Sequence, residues 1–327
     1  MAPSPSDLLP LLARFKQLAP KSPWGIPHHA CFPGQPAKGH VVIGFITHGN
    51  EWGSLPAALS VLEDLLSKKL RPAATVSLLL GNVEAALKNE RYLEEDLNRV
   101  FTFDRPTRSI ERKRAEELRP LLDACDFFFD LHQTQTPTES AFWTFPWDRS
   151  LADWAKVIGG AKRGLTRASG ATFSPGKCCI DEYVRARGHP GLTLELGTRG
   201  PDPAQAELAR KSCEALLRTF DRVRAGADLA QLATGHESPV WYRTTDIVSK
   251  QSPKDRLRPG LRCWTPVSKG ERLSDAGAPL LVAKTDGLVL FPKYAAEGQE
   301  LPPELLRLAQ PVADPDSYFR APGVAQS

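Results

Sequence analysis

The 327-residue chain is short of cysteine. Its six cysteines, at 31, 125, 178, 179, 213 and 263, include no Cys-x-x-Cys pair and fall far below the density of a disulfide scaffold, which fits a reducing cytoplasm. Long hydrophobic runs are missing too. No stretch approaches the ~20 uninterrupted apolar residues that a bilayer span needs. The apolar residues 8–12 are broken by Pro10 and followed by Arg14 and Lys16, unlike a secretory signal. Charge of one sign is also lacking: 42 Lys plus Arg against 38 Asp plus Glu leave a net charge of +4, which rules out a nucleic-acid reading from charge alone. The sequence carries no internal repeat, Gly-x-Ser-x-Gly elbow, phosphate loop or dinucleotide fingerprint, so serine-hydrolase and kinase chemistries fall away. The expectation is a soluble cytoplasmic protein with neither membrane nor nucleic acid as a partner.

Hydrophobic residues make up 41% of the chain, and the length suits two domains. Residues 41–46 and 75–80 read as apolar strands, 127–129 begins a third and 192–196 makes another. Between them, Leu55, Ala58, Leu59, Leu62 and Leu65 recur at helical steps behind Ser54 as N-cap and Pro56 in the first turn. Residues 110–125 read as a charged amphipathic helix, and 202–224 carries an apolar stripe. Alternating strands and helices give an α/β class. After residue 225 the texture turns to short β-type runs at 240–248, 261–267, 279–283 and 287–291. The division is therefore 1–225 and a smaller β-rich domain at 226–327, with 226–237 as linker and the last dozen residues expected to fray. Trp143, Trp147 and Trp154 are assigned to packing. The adjacent Cys178 and Cys179 are given no function.

The chemistry concentrates at strand ends. His48 and Glu51 stand three apart between the first of these strands and its helix, a spacing that can offer an imidazole nitrogen and a carboxylate oxygen to one divalent cation. His132, in Asp130-Leu131-His132, would emerge at the carboxyl end of the 127–129 strand, where ligands gather in α/β sheets. Two His and one Glu leave a position for water, the arrangement of a hydrolytic zinc site with one Zn2+ per chain. Glu195, near the end of another strand, is placed to move a proton between water and a leaving amine. Arg91 and Arg99 flank Asp96-Leu97-Asn98, and Arg185 and Arg187 precede Glu195 by ten and eight residues, so guanidinium groups and Asn98 are available to orient an anionic substrate. Asp130 would hydrogen-bond a ligand histidine from behind.

The motifs His48-Gly49-Asn50-Glu51, Asp96-Leu97-Asn98-Arg99, Asp130-Leu131-His132 and Leu194-Glu195-Leu196-Gly197 resemble, in order and spacing, those of the succinylglutamate desuccinylase and aspartoacylase family of zinc carboxypeptidase-like hydrolases. The resemblance covers most of residues 40–200. It implies a mixed sheet flanked by helices, a β-rich C-terminal part that caps the cleft, and cleavage of the amide of a small anionic N-acyl amino acid. It further implies zinc on His48, Glu51 and His132, and Glu195 as general base and acid. Arg91 would polarise the scissile carbonyl, Asn98 and Arg99 would contact substrate, Arg185 would grip its carboxylate, and Tyr294 is the nearest match to a tyrosine contributed from the C-terminal domain. The sequence departs from known types after Glu195, where Thr198-Arg199-Gly200-Pro201 follows Gly197, which leaves the acyl group and amino acid open. Arg185 and Arg187 remain alternatives as the clamp. A metallocarboxypeptidase acting on peptides and a non-catalytic zinc-binding sensor remain alternative functions.

Overall fold

The computed structural model describes residues 5–103, 106, 108–138, 140–174, 176–294 and 301–320. Its strands are β1 (His29–Phe32), β2 (His40–Phe45), β3 (Thr75–Leu80), β4 (Phe127–Thr134), β5 (Phe142–Pro146), β6 (Arg163–Arg167), β7 (Gly191–Thr198), β8 (Val240–Ser249), β9 (Pro266–Val267), β10 (Gly287–Leu290) and β11 (Glu304–Pro311). Its α-helices are α1 (Pro5–Leu18), α2 (Leu55–Leu66), α3 (Val83–Leu87), α4 (Ile110–Asp123), α5 (Arg149–Ile158), α6 (Ile180–Arg185), α7 (Pro203–Arg224), α8 (Leu229–Ala233) and α9 (Pro315–Arg320). Among the described residues the strands form one mixed sheet in the order β1-β3-β2-β4-β7-β5-β6-β8-β11-β10-β9. Its centre, β3-β2-β4-β7, is parallel, and β5 runs antiparallel to β7.

The strand period of two explains the layers. Val41, Ile43 and Phe45 of β2, Phe127, Phe129 and Leu131 of β4, and Leu192, Leu194 and Leu196 of β7 all face one side, where α1, α2, α5 and α7 close over them. Val42 and Phe128 face the other side and pack against the apolar stripes of α4 and α6. Burial on both faces is why these strands read as continuous apolar runs rather than alternating ones. Trp143, Trp147 and Trp154 lie in the first of these cores. Among the described residues no helix is long and apolar enough to cross a membrane.

The C-terminal strands continue the same sheet, because β8 pairs in parallel with β6, Arg163 opposite Val240. They build a core of their own from Val248, Leu257, Val289, Leu305, Leu306 and Leu308, and a joint cluster ties Phe142 and Leu165 to Trp264 and Leu290. The segment 226–237, expected as linker, contains α8, which packs on α5. Of the expected run at 261–267 only Pro266–Val267 pairs as strand, and 279–283 contributes a single bridge from Val282 to Arg272. Of the last dozen residues, α9 docks through Asp316, which accepts from Trp147 Nε1 at 3.1 Å and from Arg149 Nη1 at 2.8 Å. Residues 321–327 lie outside the described ones.

One buried pair at the head of β1 and β2 sets an acid limit on stability. His29 and His40 both pack on Trp24, whose ring stacks on His40 at 5.5 Å and meets His29 edge-on at 5.7 Å. Burial, with His40 and Arg114 nearby, pulls the His29 imidazole down to about 4. His29 is 3% exposed and stays neutral when folded, while the unfolded chain takes up the proton near pH 6.5. The associated stability is therefore complete above pH 6.5 and lost as pH falls toward 4, to the extent of about 3 kcal/mol. Urea unfolding at pH 7, 5 and 4 should show this slope, and His29→Gln should flatten it. An unchanged slope in the variant would assign the acid limit elsewhere.

Candidate active site

At the end of β2 the chain turns sharply. Ile46, a buried β-branched residue, adopts φ 54°, a strained left-handed conformation held in place as Asn82 N–H donates to its carbonyl at 2.8 Å. The turn sends residues 47–51 out at the carboxyl end of the strand. Glu51 N–H then bonds His48 O at 3.1 Å, and a 3-10 turn, Trp52–Ser54, leads into α2. Ser54 sits at the N-cap position without a side-chain capping bond. The close turn brings His48 Nδ1 within 3.0 Å of Glu51 Oε1.

The third member comes from β4. Asp130 and His132 lie on the α4/α6 face of the sheet, opposite in phase to Phe129 and Leu131. A Cβ on Gly44, next to Asp130 in the parallel ladder, would lie 2.7 Å from Asp130 Oδ1, so glycine there makes room for the carboxylate. His132 Nδ1 stands 3.1 Å from His48 Nδ1 and 2.9 Å from Glu51 Oε2. Glu51, His48 and His132 are 2%, 3% and 2% exposed. Their ligand atoms all lie within 4.8 Å of one another, a set that could hold a metal ion.

The outward nitrogens of both rings face carboxylates. His132 Nε2 donates to Asp130 Oδ2 at 2.7 Å, and Thr47 Oγ1 donates to the other Asp130 oxygen at 2.8 Å. His48 Nε2 lies 3.1 Å from Asp96 Oδ1 and 2.7 Å from Arg91 Nη2; the nitrogen can donate to the first or accept from the second, not both at once. This donor set fits zinc. Two imidazole nitrogens at 3.1 Å beside a carboxylate need a proton or a cation between them, and carboxylates behind the rings turn the inner lone pairs toward that place.

Electrostatics mark the same spot. Burial would raise the Glu51 carboxyl, but His48, His132 and Arg91 outweigh it and hold it below the usual range. Asp96 is likewise held low, with His48 and Arg91 opposing burial. Burial would lower the His132 imidazole, yet Asp130 and Glu51 keep it well above its ordinary value. Glu195 goes the other way. It pairs in register with His132, so both point to one side at the carboxyl ends of β4 and β7. Burial and then Glu51 push its carboxyl up to about 7 against the pull of His132, His48 and Arg91, and its Oε2 is buried without a hydrogen-bond partner among the described residues.

Arg91 joins the cluster from the irregular segment before Asp96. Its Nη1 donates to Glu51 Oε1 at 2.7 Å and its Nε to Asp96 Oδ2 at 3.2 Å. Gly49 N–H donates to Arg91 O at 3.0 Å, and a Cβ on Gly49 would stand 2.3–2.5 Å from the backbone of Ala85, Ala86 and Glu90, so only glycine admits this close approach. Asn98 accepts from Ile180 N–H at the start of α6, and Arg99 donates to Cys179 Sγ at 3.2 Å with its guanidinium 5.1 Å over the Phe173 ring. Arg307 and Arg167 lie over the same ring at 4.7 and 5.7 Å.

Arg185, its alternative Arg187 and Tyr294 are not brought to the cluster. Arg185 donates to Asp181 Oδ2 at 2.6 Å and to Gly191 O at the start of β7, four residues or roughly 13 Å of strand before Glu195. Arg187 pairs with Asp123 at 2.6 Å on the surface. The Tyr294 hydroxyl lies 3.0 Å from the carbonyls of Arg258 and Leu261. Sequence reasoning gave no role to Asp96 or Gln133, both of which hold the site together. Gln133 accepts from Gly53 N–H at 2.9 Å and donates to Gly200 O at 2.9 Å, while its own N–H bonds Glu51 Oε2 at 3.2 Å. The position directly after His132 was the available signal for Gln133, and the carboxylate two residues before Asn98 was that for Asp96.

A mixed α/β sheet with a His-Glu-His set at its carboxyl edge, a carboxyl group beside it and arginines around it is a hydrolase architecture. Residues 39–223 match the family model of the succinylglutamate desuccinylase/aspartoacylase catalytic domain, and the chain belongs to that family of amide-bond hydrolases. A succinylglutamate desuccinylase of Pseudomonas paraeruginosa is 32% identical over 267 residues, spanning 75% of this chain and 77% of the relative. The fold is shared with the succinylglutamate desuccinylase of Chromobacterium violaceum (TM-score 0.68, 18% identity, 96% and 99% of the two chains covered). It is shared also with murine aminoacylase 3 (TM-score 0.61, 20% identity, 84% and 95% covered).

Proposed function

We propose that this protein is a zinc-dependent amidohydrolase, with one ion per chain held by His48, Glu51 and His132, that cleaves the amide of a small, acidic N-acyl amino acid. The observation that carries this reading is the convergence of His48 Nδ1, His132 Nδ1 and the Glu51 carboxylate beside a Glu195 oxygen that has no partner among the described residues. When bound, zinc supplies Lewis acidity toward water and the acyl carbonyl. Glu195 takes the proton of the attacking water and returns it to the departing amine, a task suited to a carboxyl whose basicity burial has raised. Arg91 offers guanidinium N–H groups to the oxyanion as it develops. Asn98 and Arg99 orient the substrate.

Acidity of the substrate is supported by the Arg99 guanidinium over Phe173; Arg167 and Arg307 over the same ring, and Lys293, are already paired with Glu182 and Glu304. Burial lowers the Lys293 ammonium, with Glu304 opposing it and Arg307 and then Arg91 adding to it. In this reading 1–225 is the catalytic domain, 226–327 caps the cleft, and the enzyme works in the cytoplasm. The test is a panel of N-succinyl and N-acetyl derivatives of acidic and neutral amino acids, together with short peptides, offered to zinc-loaded protein. Hydrolysis of an N-acyl acidic amino acid with peptides left intact is expected. Efficient trimming of peptides would make it a metallocarboxypeptidase, and stoichiometric zinc without turnover of any member would make it a sensor.

A further inference from the structure

Glu111 is the second residue of α4, a place where an acidic side chain normally faces water and the helix amino end. Here it is fully buried. Its Oε1 accepts from Leu93 N–H at 2.6 Å and Asn82 Nδ2 at 3.2 Å, and its Oε2 from Glu94 N–H at 3.2 Å and Glu95 N–H at 3.1 Å. All four donors are amide N–H groups, and three belong to consecutive residues of an irregular segment, a concave anion nest filled from within the chain. The segment answers in kind: Glu94 Oε2 accepts from Ile110 N–H at 2.7 Å, and Glu95 Oε2 accepts from Ser109 Oγ and, at 2.9 Å, from Arg112 Nε. On either side of the gripped amides stand Arg91 and Asp96, the two residues of this segment that reach His48.

A buried carboxyl group is costly, and its hydrogen bonds offset that cost only while every donor stays in place. We propose that Glu111 is a positioning residue: by gathering the amides of residues 93–95 it fixes the segment that sets Arg91 and Asp96 against the metal-binding turn, and so holds Arg91 where the reacting carbonyl must come. This rests on the amidohydrolase reading for its catalytic consequence. The geometric half does not. Arg91 O accepts from Gly49 N–H, so a displaced segment uncovers an amide that Glu111 never touches.

The experiment uses the full zinc-loaded chain carrying Glu111→Gln, which sets an NH2 group against the gathered N–H donors. Expected are wild-type zinc content, a nearly unchanged KM, and a kcat lower by about 10- to 100-fold, the cost of a misplaced catalytic group. In an Arg91→Ala background the same substitution should cost clearly less than it does in the wild type, because the catalytic group it positions is gone and only its hold on Asp96 remains. Hydrogen exchange should quicken at residues 93–95 and at Gly49 but not in β4. Glu111→Asp, which keeps the acid and shortens it, is the second variant should Gln fail to fold, with a smaller loss in the same direction. Additive losses in the Arg91 background, or unchanged exchange at Gly49, would overturn the proposal. If the wild type hydrolyses no N-acyl amino acid, the functional reading fails separately, and exchange at Gly49 alone decides whether Glu111 holds the Arg91 segment.

Discussion

Under the proposed amidohydrolase chemistry, Glu195→Gln protein is expected to carry zinc like the wild type and to turn over an N-acyl amino acid about 10²- to 10⁴-fold more slowly, the range for loss of a placed acid–base group. Glutamine keeps the shape of the side chain and its register opposite His132 but cannot exchange a proton at neutral pH. The stability readout separates this role from a structural ion pair. Burial, followed by Glu51, raises the Glu195 carboxyl to about 7, so the folded protein favours the protonated form. A carboxyl raised on folding supports the native state below its unfolded value, near 4.5, and that support is lost as pH climbs through 7. In metal-free protein at pH 8, Glu195→Gln should therefore be at least as stable as the wild type, while a mere ion-pair partner would leave its cation unpaired and the variant weaker. Full turnover, or a clear loss of stability at pH 8 with turnover kept, would remove Glu195 from the chemistry.

How far the sequence foretold this arrangement depends on whether a residue's environment is local. β2, β3, β4 and β7 were legible because burial on both faces leaves a run of β-branched and aromatic residues that few other structures tolerate. α4 and α7 were legible from their amphipathic stripes, and the structure adds caps the stripes did not show: Ser109 and Asp202 accept from the first-turn amides. β6, Arg-Gly-Leu-Thr-Arg, carries one large apolar residue. It is a strand because β5 and β8 flank it and the Trp241 ring lies where a Cβ on Gly164 would stand. β11 puts Leu305 beside Leu306, a pair that breaks alternation, and register shifts at Glu304/Leu306 and Leu308/Ala309 let both be buried.

The site divides in the same way. His48, Glu51 and His132 are fixed by spacing within a turn and by phase along one strand, both of which a sequence records. Arg185 and Tyr294 depend on where a long side chain turns, which chain distance does not record; Arg185 turns to Asp181 and Gly191. Glu111 sits in the charged stretch Ile-Glu-Arg-Lys-Arg, where it looks like one more solvated residue, and only the fold shows three backbone amides aimed at it.

Removal of the ion is expected to abolish turnover, and the order in which single substitutions weaken its binding should follow the geometry. Chelation followed by zinc should switch activity off and on. His132→Ala removes one of the three proposed ligands and should lose stoichiometric zinc at micromolar concentrations, with turnover at background. Asp130→Asn leaves all three ligands but changes what stands behind His132: an amide in place of the carboxylate that accepts from Nε2 at 2.7 Å and from Thr47 at 2.8 Å. With no exposure to water at Asp130, solvent cannot substitute, and zinc affinity should fall by about 10- to 100-fold. Thermal unfolding gives an independent reading, since an ion that binds only the folded chain raises the melting temperature in proportion to the logarithm of its concentration over Kd. The zinc-dependent rise should be largest in the wild type, reduced in Asp130→Asn and absent in His132→Ala. A His132→Ala protein that still binds zinc tightly and is stabilised by it would show that the ion sits elsewhere, and the role assigned to Glu195 would fall with it, because the water it deprotonates would no longer lie beside it.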